Sequence, residues 1–277
     1  MFAKGIPPKL ITKLLTEAAL EKSIDDFHIV AHWDIEEIFR ILDQSKEVEK
    51  DEIAKLEWLY LPILASVGSE RPPKMLHQQL SSDPEFFAEV IKWIYKPESE
   101  NAEEADEKMP QEFKKQRARL AWELLHTWKS IPGSDSSGKI DYRKLKSWVE
   151  RARGICKKLD RLKVCDSHIG QVLAHVMPDE DGNWPPENVC KIIDEIESNE
   201  LDDGFIVGVH NKRGVVVKSP VEGGKQERAL AEQYRKYADK WAILFPRTSA
   251  ISRKIAEDYE SKAKREDKEA ERRDIER

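Results

Sequence analysis

The sequence predicts an all-α protein of stacked helix pairs, helical-repeat-like, with a single β-hairpin near residues 204–218. Three observations lead there. Apolar residues recur at three- and four-residue steps through most of the chain, the spacing of helices with one buried face. Prolines and short polar runs interrupt those stripes at helix-length intervals. One stretch, GFIVGVHNKRGVVVK from Gly204 to Lys218, instead reads as two aliphatic strands around a glycine-containing turn.

Composition narrows the class. In 277 residues, charged side chains make up 36% and the apolar set 39%, with eight Trp, eight Phe and six Tyr. That aromatic content argues against wholesale disorder, and the length suffices for one large domain or two smaller ones. The net charge of −6 excludes a general electrostatic draw to nucleic acid or anionic membrane and leaves only local basic patches. Cys156, Cys165 and Cys190 match no zinc or redox spacing and read as reduced thiols. No run approaches the roughly 20 apolar residues of a membrane span, and the first residues lack a signal-peptide core. A cytoplasmic protein, with no membrane association, is expected.

The elements follow in order. Pro7 and Pro8 open a helix to about Lys22. Ser23 caps a second, bearing Phe27, Val30, Ile35, Ile38, Phe39 and Leu42, with His28 and His32 one turn apart. Asp51–Val67 is a helix that Pro62 should kink or break. Pro72 and Pro73 start a short helix. Ser82 or Asp83 caps the next, with Pro84 at its first position and Pro97 beyond its end. Residues 1–97 form an N-terminal helical subdomain. The acidic, proline-bounded run 98–110 is a linker, and 111–277 is a C-terminal helical subdomain with the hairpin and a long terminal helix.

In that second part, a helix over Gln111–Trp128 should bury Phe113, Leu120, Leu124, Leu125 and Trp128. Asp141 leads a helix to Leu159. Helices at Val164–Val176 and Glu187–Glu197 follow, the former capped by Asp166 or Ser167. After the hairpin, Lys225–Leu244 turns Leu230, Ala231, Tyr234, Tyr237, Ala238, Trp241 and Leu244 inward. Pro246 stops it, and Thr248 can cap the last helix. Trp58, Trp93 and Trp128 recur at 35 residues, each four before a proline, which a two-helix repeat would produce.

Candidate chemistry is sparse. Ser134–Asp141 and Asp179–Trp184 resemble calcium loops but lack their end ligands, so polar turns that dock Ile140 and Trp184 on the core fit better. Cys165, Asp166, Ser167, His168 and His175 could supply a nucleophile or base only if the fold converged them; packed histidines are the plainer reading. Gly223-Gly224 before a helix could hold an anion through backbone amides. The hairpin tip is basic in an acidic protein. It gives the interaction candidates His210, Asn211, Lys212 and Arg213, extended by Arg228, Arg235 and Arg247.

The segments LEWLYLPIL, RPPKMLHQQLSSDPEFFAEVIKWIYK, SHIGQVLAHVMPDEDGNWPPENV, NKRGV, GGKQERALAEQYR and PRTSAISRKIAEDYE occur in that order from about Glu52 onward. In combination they resemble the C-terminal region of long, uncharacterised bacterial helical proteins. The resemblance implies a bacterial intracellular source and a chain that is a fragment or a short stand-alone relative. It carries no catalytic residue. Multidomain bacterial proteins of this style often serve defence or stress systems, an analogy of architecture. The expectation is a non-enzymatic protein-interaction or scaffold module with a protein partner. A nucleic-acid-associated module using the basic tip, and a hydrolase or nuclease around His168 and His175, are the alternatives. No cofactor and no catalytic or metal residue is assigned, and the oligomeric state stays open.

Overall fold

The structure, a computed structural model, describes residues 5–21, 32–66, 68–99, 109–214, 217, 219 and 222–275. The chain divides into two compact units, Met1–Ser130 with Gly154–Arg161, and Ile131–Arg153 with Leu162–Arg277. The described residues are mostly helical, so the fold is all-α. Of the linker expected at 98–110, residues 100–108 lie outside the described residues, as do Phe27, His28 and Val30 of the second helix and its Ser23 cap.

The first unit holds α1 (Pro8–Glu21), α2 (His32–Gln44), α3 (Lys50–Leu59), α4 (Leu61–Leu64), α5 (Lys74–Ser82), α6 (Pro84–Ile94) and α7 (Gln111–Thr127). Pro62 breaks the Asp51–Val67 stretch as expected: α3 ends at Leu59 and α4 restarts with the proline near its N-terminus, where no amide hydrogen is needed. Ile11, Leu15, Ile35, Phe39, Leu42, Ile53, Leu56 and Tyr60 form one cluster. The Tyr60 hydroxyl donates to the Leu15 carbonyl at 2.9 Å, which satisfies the single polar atom of that buried ring.

The Asp83 carboxylate accepts the Glu85 and Phe86 amides at 3.0 and 3.2 Å, and Pro84 occupies the first turn of α6. This is the expected cap. Asp83→Ala should therefore lower the stability of the first unit by about 1 kcal/mol in urea unfolding, whereas a loss near zero would mean that the cap is dispensable.

The second unit contains most of α8 (Tyr142–Lys158), then α9 (Leu162–Leu173), α10 (Glu187–Ile196), α11 (Asn199–Lys212), α12 (Lys225–Trp241) and α13 (Pro246–Ile275). Asp141 leads α8 by accepting the Lys144 amide at 3.1 Å. The calcium-like loops are turns. Asp135 and Asp179 turn their carboxylates onto their own loops' amides, and Ile140 and Trp184 are buried.

Among the described residues the expected hairpin is not seen. Its first strand is the C-terminal part of α11, and His210, Asn211 and Lys212 are that helix's last residues rather than a turn. Val215 and Val216 of the second strand lie outside the described residues, and Val217 is exposed and in no strand. The physical reason lies in Gly204 and Gly208, four residues apart and so on one helical face. A Cβ at Gly204 would lie 2.7 Å from the Ser167 carbonyl carbon, and one at Gly208 would lie 2.6 Å from the Gln171 oxygen. From the other side, a Cβ at Gly170 would lie 2.6 Å from the Phe205 nitrogen. Three glycines thus let the backbones of α9 and α11 touch, and that packing overrides the strand preference of Phe205–Val209.

Two helix starts are also corrected. Asp166 does not cap α9; it lies inside it and pairs with Arg153, Nε to Oδ1 at 2.7 Å. Thr248 lies inside α13. The cap there is Asp194 of α10, whose carboxylate accepts the Arg247 and Thr248 amides, both at 3.0 Å.

Candidate functional site

The sequence-derived candidates all fall in the second unit, and the structure engages most of them with carboxylates. Arg213 reaches Glu227 of α12 at 2.6 Å. Arg228 grips Asp267 of α13 with both terminal nitrogens, at 2.6 and 3.2 Å. Arg235 meets Glu260 at 3.0 Å, and Arg247 meets Asp202 at 2.8 Å and Asn199 at 2.9 Å. Lys212 donates to the Val176 carbonyl at 3.4 Å, and burial lowers the pKa of its ammonium. His210 lies between Asp258 and Lys262 of α13. Asn211 is exposed at the end of α11.

These cations therefore tie α11, α12 and α13 to one another, and the spread-out positive tip that the hairpin implied is absent. The anion-binding position considered at Gly223-Gly224 is also filled from within. The Gly224 amide donates to Asp267 at 2.8 Å, and a Cβ at Gly224 would lie 2.6 Å from the Ala263 carbonyl carbon. Asp267 thus sits where the start of α12 favours negative charge, and Arg228 neutralises it from the other side.

His168 lies within α9 and His175 just beyond its end. Burial pushes His168 down to about 4, so its imidazole is neutral at pH 7. Its neighbour Asp166 is already bound to Arg153. Among the described residues, no group of three or more His, Cys, Asp or Glu is arranged to hold a metal ion.

The feature that sequence reading missed is apolar. The turn joining α12 to α13 holds Ile243 at 93% exposure and Leu244 at 69%. Leu244 was expected to face inward on a helix running to that residue. The helix instead ends at Trp241, and the last turn is fixed from both ends. Trp241 packs edge-to-face on Phe245 at 5.3 Å, the Phe245 amide donates to the Trp241 carbonyl at 2.8 Å, and Ser249 donates to the Ala238 carbonyl at 2.7 Å. Pro246 carried the signal: a helix that must stop before it leaves the preceding residues off the inward face. In the first unit Phe113, expected to be buried on α7, is likewise 63% exposed.

Comparisons of the chain with protein-family models, with curated proteins and with solved structures find no match. No helix among the described residues is long and apolar enough to cross a membrane.

Proposed function

We propose that the chain is a non-enzymatic protein-interaction or scaffold module, built of stacked helix pairs and working in the bacterial cytoplasm. The bacterial source, and a setting in defence or stress, rest on the resemblance of its ordered segments alone. The observation that carries the interaction reading is the Ile243–Leu244 tip. Two large aliphatic side chains stand in solvent on a turn that hydrogen bonds and the Trp241–Phe245 contact already hold in shape. A pre-ordered apolar anchor spends little conformational entropy on binding, and such anchors dominate the energetics of protein interfaces. The arginines that would serve nucleic acid are instead committed to Glu227, Asp267, Glu260 and Asp202.

The test is co-purification of the tagged chain from its native host, in parallel with the double variant Ile243→Ser/Leu244→Ser and with Arg228→Gln. The double variant should keep its helical content and melting temperature, because both side chains are exposed. It should lose a specific partner that wild type and Arg228→Gln retain, with affinity reduced roughly thirtyfold or more, the effect of removing an interface anchor worth about 2 kcal/mol. An unchanged partner set would sink this reading. Duplex DNA binding that weakens steeply with salt, by about 0.9 log units per log of salt for each phosphate contact, would replace it with the nucleic-acid reading.

A further inference from the structure

His210 holds two contacts that constrain its protonation. Its Nε2 is 3.3 Å from Asp258 Oδ2, and its Nδ1 is 3.2 Å from Lys262 Nζ. A lysine ammonium can only donate, so Nδ1 must accept and Nε2–H must donate to Asp258. The ring is then a neutral bridge of defined tautomer between a carboxylate and an ammonium on successive turns of α13. Tyr259, between them in sequence, packs edge-to-face on the imidazole at 5.1 Å.

We propose that His210 and Lys262 form an acid-opened latch that holds the last turn of α11 onto α13. The two side chains together carry one positive charge while they touch. A second proton would place Nδ1–H against the ammonium, donor against donor, and the contact would break. The surroundings oppose that proton on balance. Arg213 follows the last residue of α11, and its guanidinium sits 5.5 Å over the Tyr259 ring. On α13, Asp258 favours the imidazolium while Lys262 opposes it, and Arg265 adds to the positive field at Lys262. Glu227 of α12 is taken up by Arg213. The α9 residues against the α11 glycines, Ser167, Gly170, Gln171 and Ala174, carry no charge. Burial is the largest influence and weighs in the same direction as Lys262 and Arg213, so the imidazole titrates below its ordinary 6.5. When it does titrate, the Lys262 contact is the one lost, and the last turn of α11 is held to α13 through the remaining Nε2–H bond to Asp258.

The sign follows from that depression. The contact is complete above the ordinary histidine range and is lost as pH falls through the lowered value in the folded chain. The test uses the whole chain, with nuclear magnetic resonance titration of the His210 ring, assigned with His210→Gln, and hydrogen exchange of residues 210–213. The ring should titrate below 6.5 from an Nε2–H tautomer. Over the same pH range, protection of the last α11 turn should fall on the order of tenfold, after correction for intrinsic exchange, as one charge-assisted bond is lost. Lys262→Met should move the His210 titration upward, and Asp258→Asn should move it further down. A ring that titrates at or above 6.5, an α11 end whose protection ignores pH, or a titration indifferent to Lys262→Met would each overturn the latch. Melting curves at pH 7.5 check that the variants fold.

Discussion

Gly204→Ala should destabilise the second unit by about 1–3 kcal/mol, even though alanine is the better helix former by roughly 1 kcal/mol. The added methyl would meet the backbone of Ser167, whose carbonyl carbon lies 2.7 Å from the new atom and whose Cα lies 2.8 Å away. A flexible side chain can swing clear of such a contact, but a peptide group inside α9 cannot. The two helices must separate, and Phe205, Ile206 and Val209 then lose part of their burial. Gly170→Ala should cost a similar amount, since its Cβ would meet the Phe205 nitrogen at 2.6 Å. The control is Gly154→Ala on α8, where a Cβ would have nothing within 4 Å. There the propensity gain stands alone, and a stabilisation of about 0.5–1 kcal/mol is expected. Urea unfolding followed by circular dichroism reads all three. Were Gly204 in a strand, alanine there would be neutral or favourable, so equal responses at 204 and 154 would refute the glycine-mediated crossing.

The same glycines show why part of the fold was legible in the sequence and part was not. Signals confined to a few residues were readable. Asp83–Pro84 starts α6, Pro62 divides α3 from α4, Asp141 leads α8, and Trp184 docks where its polar turn delivers it. Each depends on groups within one turn of chain. Phe205–Val209 is β-branched and aromatic, and nothing local says that Gly204 and Gly208 face Ser167 and Gln171 rather than punctuating a hairpin. The helix caps follow the same division. Glu57 accepts the first amides of α5, Asp194 those of α13, and Asp267 that of Gly224 before α12. All three come from other helices, so no local pattern could announce them. The candidate arginines were readable as positive charge. Their commitment to Glu227, Asp267, Glu260 and Asp202 needed the folded arrangement of α11 to α13.

The other large effect is expected at the buried ionic centre of the first unit. Arg71→Met should cost that unit about 3–5 kcal/mol at pH 7. Arg71 touches Glu57 and Asp43 (2.6 Å), donates to the Pro72 carbonyl at 3.2 Å, and lies 4.8 Å over the Phe39 ring. Glu57 is fully buried on α3, and its two oxygens receive the Met75 and Leu76 amides at 3.0 and 2.9 Å. The carboxylate therefore holds the start of α5 while the guanidinium neutralises it. Methionine preserves much of the apolar stem but leaves Glu57 charged, dry and without its cation, and this residual charge accounts for most of the loss. Burial already raises the Glu57 pKa above its ordinary value, and Arg71 is the strongest influence pulling it back. Without the arginine the pKa rises further. A carboxyl raised in the folded chain binds a proton that the unfolded chain has released, so stability is retained at low pH and falls as pH rises through the folded value. The penalty of Arg71→Met relative to wild type should accordingly be smaller at pH 5 than at pH 8. Adding Glu57→Gln should recover part of it at pH 8, because the amide oxygen still accepts one backbone N–H and no charge remains. The recovery stays incomplete because a glutamine offers one acceptor where α5 presents two amides. A penalty under about 1 kcal/mol, or one that is equal at pH 5 and pH 8, would show that Glu57 is compensated by something other than Arg71.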